Sequence, residues 1–372
     1  MSGTRETRIW KLPPGLSGSK ESLRNSAEIL GAAEVLQRGG LVAFPTETVY
    51  GLGANGLDAH AVAGIFAAKG RPADNPLILH IATLADLYQV VARLPAQAAH
   101  LAHIFWPGPL TLVLPKTENV PMITTGGLGT VAVRMPDHPV ALALIEVTGV
   151  PLAAPSANTS GRPSPTEAAH VAADLLGKID IILDGGSTGI GVESTVVDCT
   201  GASLVILRPG GVSKEALEQA IGGTVEVAPH LIAAEEFSEG PVRSPGMKYE
   251  HYAPKAPALL VEGQPPDIFE QLTSLAVELQ AEGEIVGLMV SQEMVRYWQE
   301  RAIDTGKWQI MCMGSRRNLE EIAANIYRGL RDLDNTNATR ILLEGVPTSG
   351  LGLAIMNRLT KAAGHRIVGD GN

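Results

Sequence analysis

The stretch KGRPADNPLILH at 69–80, with FPTETVYGLG at 44–53 upstream of it, decides how this chain is read. Both pack glycine, proline, hydroxyls and charge closely, and neither follows a helical or strand period that would make it plain core. In the first, Lys69 and Arg71 flank Gly70, and Pro72 follows at once. Proline fixes φ and biases the residue before it toward extended backbone. The two cations are therefore expected on a stiff, exposed loop. Beside the extended run 77–81, such a loop is a candidate anion site, with phosphate first. The competing reading, a solvated surface turn, suits an arbitrary Lys-Gly-Arg better.

Outward from these stretches the chain alternates short β-type runs with amphipathic segments. NSAEILGAAEVLQRGG at 25–40 predicts a helix capped by Asn25 or Ser26 and stopped by Gly39-Gly40. DAHAVAGIFAAKG at 58–70 predicts another, capped by Asp58. LVAF, LILHI, LTLVL, TVAVRM and PLAA read as strands, with a helical stretch at 140–147 among them. TEAAHVAADLLG reads as a helix capped by Thr166, followed by the strands IDIILD, STVVDC and SLVILR and the helix SKEALEQAIG. The fold expected is α/β: an N-terminal twisted mixed sheet with helices, over residues 20–225. Periodicity then lapses, and 226–256 reads as a linker or functional loop. From 257 to 372 strands and helices alternate strictly, as in a smaller Rossmann-like domain. No G-x-G-x-x-G follows its first strand, so no dinucleotide is assigned.

The chain has 372 residues, 45% of them hydrophobic and 18% charged, enough apolar material for two domains with cores. Net charge is −10. Residues 1–240 carry 15 basic against 23 acidic side chains and the remainder 14 against 16, so neither half offers a basic coat for nucleic acid. Cys199 and Cys312 stand far apart, which excludes a disulfide framework and a cysteine zinc site. The opening MSGTRETRIWKL has no apolar signal core, and no run approaches a membrane span, so a cytoplasmic protein is the expectation.

No Walker A loop occurs, because neither Gly-Lys pair precedes Ser or Thr. Any ATP site has to be built another way, with Lys69 and Arg71 as its cations. GGSTGIG at 185–191 mimics a dehydrogenase glycine motif, but the β-branched VESTVVDCT after it is no helix, so a turn between strands is expected. PSANTSGRPSPT at 155–166 follows a strand-like run, where α/β sheets place ligands. There Ser156 and Asn158 can bind phosphate or ribose oxygens, or serve turn chemistry. Arg134, ending TVAVR, offers a bidentate fork to a carboxylate, or a structural ion pair; Arg208 in LVILRPGG stands the same way. His100 and His103 have helical spacing, but no third metal ligand is near, and no metal site is assigned.

Together the blocks FPTETVYGLG, KGRPADNPLILH, WPGPLTLVLP, VAVRMPDHP, PSANTSGRPSPT, GVESTVVD and ILRPGG resemble the threonylcarbamoyl-AMP synthase family, built on the YrdC-like domain. SPGMKYEHYAP at 244–254 is similar to the interdomain linker of its longer, two-domain members. The resemblance covers roughly residues 25–372. It implies that L-threonine, bicarbonate and ATP, with Mg²⁺, give threonylcarbamoyl-AMP and pyrophosphate. The product feeds a tRNA modification completed by a partner transferase; direct tRNA binding is expected to be weak at most. It also implies residue roles. Lys69, Arg71 and Asn75 hold the triphosphate, the first two being the catalytic cations. Ser156, Asn158, Ser164, Arg208 and Thr130 hold the nucleotide, joined by Ser244 and His251 from the linker. Arg134 takes the threonine carboxylate, and Thr48, His80, Ala154 and Ser194 line the amino-acid pocket. No residue stands out as a general base. The linker is expected to close over the site as a lid, keeping water from a labile mixed anhydride. Three other readings compete: a carbamoyltransferase of hydrogenase maturation, which would carry paired Cys-x-x-Cys motifs; a non-catalytic tRNA- or double-stranded-RNA-binding module, disfavoured by the charge; and a regulator whose Rossmann-like domain senses a ligand.

Overall fold

The computed structural model describes residues 5–12, 20–231 and 252–369. Ser244, His251 and nearly all of the expected lid lie outside the described residues. By internal contacts the described chain forms two compact units, one of residues up to 231 and one of residues from 252 onward. Two short stretches, 161–163 and 190–192, are grouped with the second.

In the first unit the chain runs through β1 (Arg8–Lys11), α1 (Lys20–Arg24), α2 (Ala27–Gln37), β2 (Val42–Phe44), β3 (Gly51–Asn55), α3 (Ala59–Lys69) and β4 (Ile78–His80). There follow α4 (Leu84–Val90), α5 (Ala96–Phe105), β5 (Leu110–Pro115), β6 (Thr130–Arg134), α6 (Pro139–Thr148) and β7 (Leu152–Ala153). The unit closes with α7 (Ala168–Leu175), β8 (Ile181–Asp184), β9 (Thr195–Asp198), β10 (Val205–Arg208), α8 (Lys214–Ile221) and β11 (Glu226–Val227).

The local signals act as their chemistry dictates. Ser26 caps α2 by accepting the Ile29 N–H at 3.2 Å, and the helix buries Ile29, Ala32, Ala33 and Leu36. Asp58 caps α3, and Gly70 ends it in the left-handed region at φ 63°, a conformation costly for any residue with a Cβ. Thr166 departs from the expectation. Helix α7 starts one residue later than its pattern, with Glu167 at the cap position, and the Thr166 N–H points to His170 Nδ1 at 3.3 Å instead.

The strands form one mixed sheet in the order β1-β8-β2-β3-β7-β4-β6-β5-β9-β10-β11. Three apolar clusters cover it. One gathers Leu52, Ile65, Leu79, Leu101, Leu112 and Val133; a second gathers Ile29, Leu36, Phe44, Leu144, Leu152 and Leu183; a third, with Ile78, Val113, Ala132 and Val196, holds the alternate residues of the central strands. Each such side chain contributes about 1.5–3 kcal/mol by leaving water, so the central strands are held rigidly from both faces. In their midst β4 and β6 run parallel, and the register sets His80 beside Arg134. Strand β5 runs antiparallel to β6 and sets Thr111 against Arg134 from the other side.

The second unit holds β12 (Ala258–Val261), α9 (Asp267–Ala281), β13 (Val286–Ser291), α10 (Gln292–Glu300), β14 (Gln309–Gly314), α11 (Leu319–Asp334), β15 (Arg340–Glu344), α12 (Gly352–Ala362) and β16 (Ile367–Val368). Its sheet is parallel throughout, ordered β14-β13-β15-β12-β16, as the strict alternation requires.

Candidate functional site

The first unit gathers buried polar side chains at the ends of its central strands. Lys69, the last residue of α3, is 2% exposed and Arg71 is 9% exposed. The expectation of an exposed cationic loop is therefore corrected: the left-handed turn at Gly70 tucks both cations inward. Lys69 Nζ donates to the carbonyls of Ser156 at 2.5 Å and Asn158 at 2.6 Å, and lies 3.4 Å from Asn158 Oδ1. The Ser160 N–H returns a bond to the Lys69 carbonyl at 2.9 Å. One ammonium thus fastens the 69–72 turn to the 155–160 loop, at the negative end of its own helix. Arg71 Nη2 donates to the Pro76 carbonyl at 3.1 Å. Asn75, almost fully buried in the same turn, has an Oδ1 with no hydrogen-bond partner among the described residues.

Arg208, at the end of β10, donates from Nε and Nη2 to the Ser194 carbonyl at 3.2 and 2.9 Å, and from Nη2 to Ser194 Oγ at 3.1 Å. Ser194 Oγ in turn lies 2.7 Å from Thr111 Oγ1. Ser164, fully buried, donates to Glu193 Oε1 at 2.6 Å.

Arg134 sits at the centre of the second cluster. Its Nε donates to the Gly108 carbonyl at 3.3 Å and its Nη1 to Thr48 Oγ1 at 2.9 Å. Having accepted from Arg134, the Thr48 hydroxyl spends its proton on Thr46 Oγ1 at 2.8 Å, and Thr46 donates to the Val49 carbonyl at 2.7 Å. Nη2 of Arg134 lies 2.6 Å from Glu47 Oε1, a charge contact without hydrogen-bond alignment. His80 Nδ1 faces the Ile78 carbonyl at 3.3 Å. Burial and the neighbouring Arg134 charge push its pKa down to about 3, so it stands neutral beside the guanidinium. Burial likewise lowers His138 to about 4.

The structure brings Lys69, Ser156 and Asn158 into contact, with Arg71 and Asn75 in the turn that follows Lys69; it joins Thr48 to Arg134, with His80 paired to Arg134 across the sheet, and Ser194 to Arg208. Ala154 follows β7, its N–H bonded to the Ile78 carbonyl at 3.0 Å. Thr130 shares a face of β6 with Arg134 but lies four residues away, about 13 Å along the strand. A ligand touching both has to extend along the sheet. His100, weighed as a metal ligand, bonds the Ala220 carbonyl through Nε2 at 3.0 Å. Reading the motifs missed Thr46, Glu47, Thr111, His138 and Glu193. All five sit inside quoted motifs, and a carboxylate next to hydroxyls, Glu47 between Thr46 and Thr48 and Glu193 before Ser194, was the available signal.

Among the described residues no group of three His, Cys, Asp or Glu side chains could hold a metal ion, and no helix is long and apolar enough to cross a membrane.

Comparison with known proteins accounts for both units. The family described as "Telomere recombination" matches residues 34–210, and that described as "Threonylcarbamoyl-AMP synthase, C-terminal domain" matches 212–364. The threonylcarbamoyl-AMP synthase of Pyrococcus abyssi is 50% identical over 340 residues, 91% of this chain and 94% of that protein. The enzyme of the same name from Bacillus subtilis is 48% identical, covering 92% and 95%. The crystal structure of P. abyssi Sua5 complexed with L-threonine superposes with a TM-score of 0.86 at 47% identity, over 98% of this chain and 99% of that one. Full-length likeness at this identity, in sequence and in fold, places the chain in the threonylcarbamoyl-AMP synthase family.

Proposed function

We propose that this chain joins L-threonine, bicarbonate and ATP into threonylcarbamoyl-AMP and pyrophosphate, supplying an activated carbamoyl group that a separate transferase places on adenosine in tRNA. The observation that carries the reading is the 50% identity spanning 91% of the chain, to a protein named for that product. The arrangement of the first unit supports it: buried cations and hydroxyls converge at strand ends, with no Walker loop in the sequence.

The residue roles follow the chemistry. Threonine N-carbamate is anionic and attacks the α-phosphate as pyrophosphate leaves; such a displacement asks for positioning and positive charge more than for a base. Lys69, Arg71 and Asn75 take the triphosphate. To do so, Lys69 exchanges two neutral carbonyls for charged phosphate oxygens, which bind an ammonium more strongly. Ser156, Asn158, Ser164, Arg208 and Thr130 hold the nucleotide, with Ser244 and His251 completing its cover. Arg134 takes the threonine carboxylate, and Thr48, His80, Ala154 and Ser194 line the pocket. Mg²⁺ enters on the triphosphate as part of the substrate. It takes most of its oxygens from phosphate and water, so it needs no carboxylate cage. We place catalysis in residues 20–225, the connecting segment in 226–256 and the second domain in 257–372, and the protein in the cytoplasm.

The test is a pyrophosphate-release assay with ATP, threonine and bicarbonate, each omitted in turn. Release that needs all three supports the synthase. Release unaffected by omitting threonine or bicarbonate overturns it.

A further inference from the structure

Strand β2 ends at Phe44 and β3 begins at Gly51, so residues 45–50 must turn the chain between them. Thr46 staples that turn: its Oγ1 accepts the N–H of Thr48 at 3.2 Å and of Val49 at 3.3 Å. Glu47 stands inside the staple, its side chain 13% exposed, with the carboxylate aimed at Arg134.

The hydrogen-bond inventory there is incomplete in a specific way. Neither Glu47 Oε1 nor Oε2 has a hydrogen-bond partner among the described residues, and neither does Arg134 Nη2. Buried polar groups are normally satisfied; here the Glu47 carboxylate and Arg134 Nη2 meet only as charges, 2.6 Å apart, and their hydrogen-bonding capacity is left for a ligand. The ligand's valences must complement theirs: an acceptor of negative charge for Arg134 and a donor of positive charge for Glu47. The α-carbon of an amino acid carries both, a carboxylate and an ammonium two bonds apart. Such a zwitterion enters without adding net charge, so each buried ion of the pair keeps an opposite partner and no uncompensated charge is created.

We infer that Glu47 selects for the α-amino group, receiving the ammonium of the amino acid whose carboxylate goes to Arg134. The inference rests on the reading of Arg134 given above and adds to it. Arg134 alone accepts any carboxylate of the right shape, whereas the pair disfavours an acid that lacks the amine, because its carboxylate then shares Arg134 with Glu47 and brings a second negative charge beside it with no ammonium between them.

The experiment compares L-threonine with 3-hydroxybutanoate, which is threonine without its α-amino group, on the full chain. Threonine is followed by its KM in pyrophosphate release and 3-hydroxybutanoate as a competitive inhibitor. Glu47→Gln should raise the threonine KM about 10- to 100-fold, the loss of one charge-assisted contact. It should tighten 3-hydroxybutanoate, or at least not weaken it, and leave the KM for ATP within twofold. Glu47→Asp, which keeps the charge, should recover part of the threonine affinity. Equal weakening of both compounds by Glu47→Gln would overturn the inference, because Glu47 would then act only by positioning Arg134; so would an unchanged threonine KM. Arg134→Gln separates the underlying reading. It should weaken both compounds, and a variant that weakens neither removes Arg134 as the carboxylate site whatever Glu47 does.

Discussion

Each unit buries one arginine–carboxylate pair at the end of a strand, and the two pairs are finished differently. In the second unit Glu344 ends β15 with no exposure, and both its oxygens are bonded. Oε2 accepts the Ser291 N–H at 2.6 Å, while Oε1 accepts Ser291 Oγ at 2.8 Å and Arg316 Nη1 at 2.5 Å. Arg316 goes on to the Gly345 carbonyl at 2.8 Å, and its backbone N–H reaches Glu293 Oε2 at 2.9 Å. That pair ties three strand ends and the start of α10 together. In the first unit Glu47 has no hydrogen bond to either oxygen among the described residues and meets Arg134 only as a charge. A carboxylate whose acceptors are filled by its own fold is a fastening; one whose acceptors are left open serves something that arrives from outside.

The contrast is broken most directly at Glu344. Glu344→Ala leaves Arg316 buried without its counter-charge, a change that costs about 3–5 kcal/mol. Urea unfolding should show that loss in the second unit; an unchanged curve would mean the pair fastens nothing. Lys69→Ala should come next. It removes the ammonium that joins two loops and, on the proposed reading, a phosphate contact. Turnover should fall about 100-fold, and proteolysis within 155–160 should quicken, since this cation is buried. Unchanged ATP-dependent kinetics would sink the phosphate role. Arg134→Gln should raise the threonine KM about 10- to 100-fold while moving the KM for ATP little, and Arg134→Lys should restore little, because a point charge cannot reproduce a planar fork. Equal losses for both substrates would make the first pair as structural as the second.

Acid stability is the remaining test, through the two buried histidines of the first unit. His80 and His138 are held neutral down to about pH 3 and 4, whereas in the unfolded chain each takes its proton near 6.5. Between those values the unfolded state binds more protons. Their contribution is therefore complete above pH 6.5 and lost as pH falls, by up to about 1.4 kcal/mol per unit for each histidine. Urea midpoints at pH 7.5, 6.0 and 5.0 measure it. His138→Asn should flatten its share of the slope, and an identical slope in that variant would place the acid sensitivity elsewhere.

Much of the architecture was legible in local chemistry. Ser26 and Asp58 announce α2 and α3 because a cap works within three residues of itself. What escaped depends on partners far along the chain. Strand β1 shows no apolar alternation, since three of its four residues are exposed; it exists because β8, some 170 residues later, pairs with it. Strand β3 was hidden by Gly51 and Gly53; at Gly53 a Cβ would come within 2.7 Å of the Phe44 ring, so no larger residue fits there. The site was legible as motifs but not as geometry. Lys69 and Arg71 read as exposed because cations usually are, and nothing local shows that the carbonyls of Ser156 and Asn158 wait for the ammonium. Glu47 was passed over for the same reason, its counterpart Arg134 being 87 positions on.

The place of β8 in the first sheet, between β1 and β2, also sets the order in which the protein can be made. A ribosome releases β1 and β2 early, and they cannot neighbour each other in the finished sheet without the strand that belongs between them. Until residues 181–184 emerge, both present bare backbone edges to whatever else is nearby. A nascent chain stalled before that point is the species most exposed to misassembly, and a chaperone acting during synthesis has its longest task on the first half of this polypeptide.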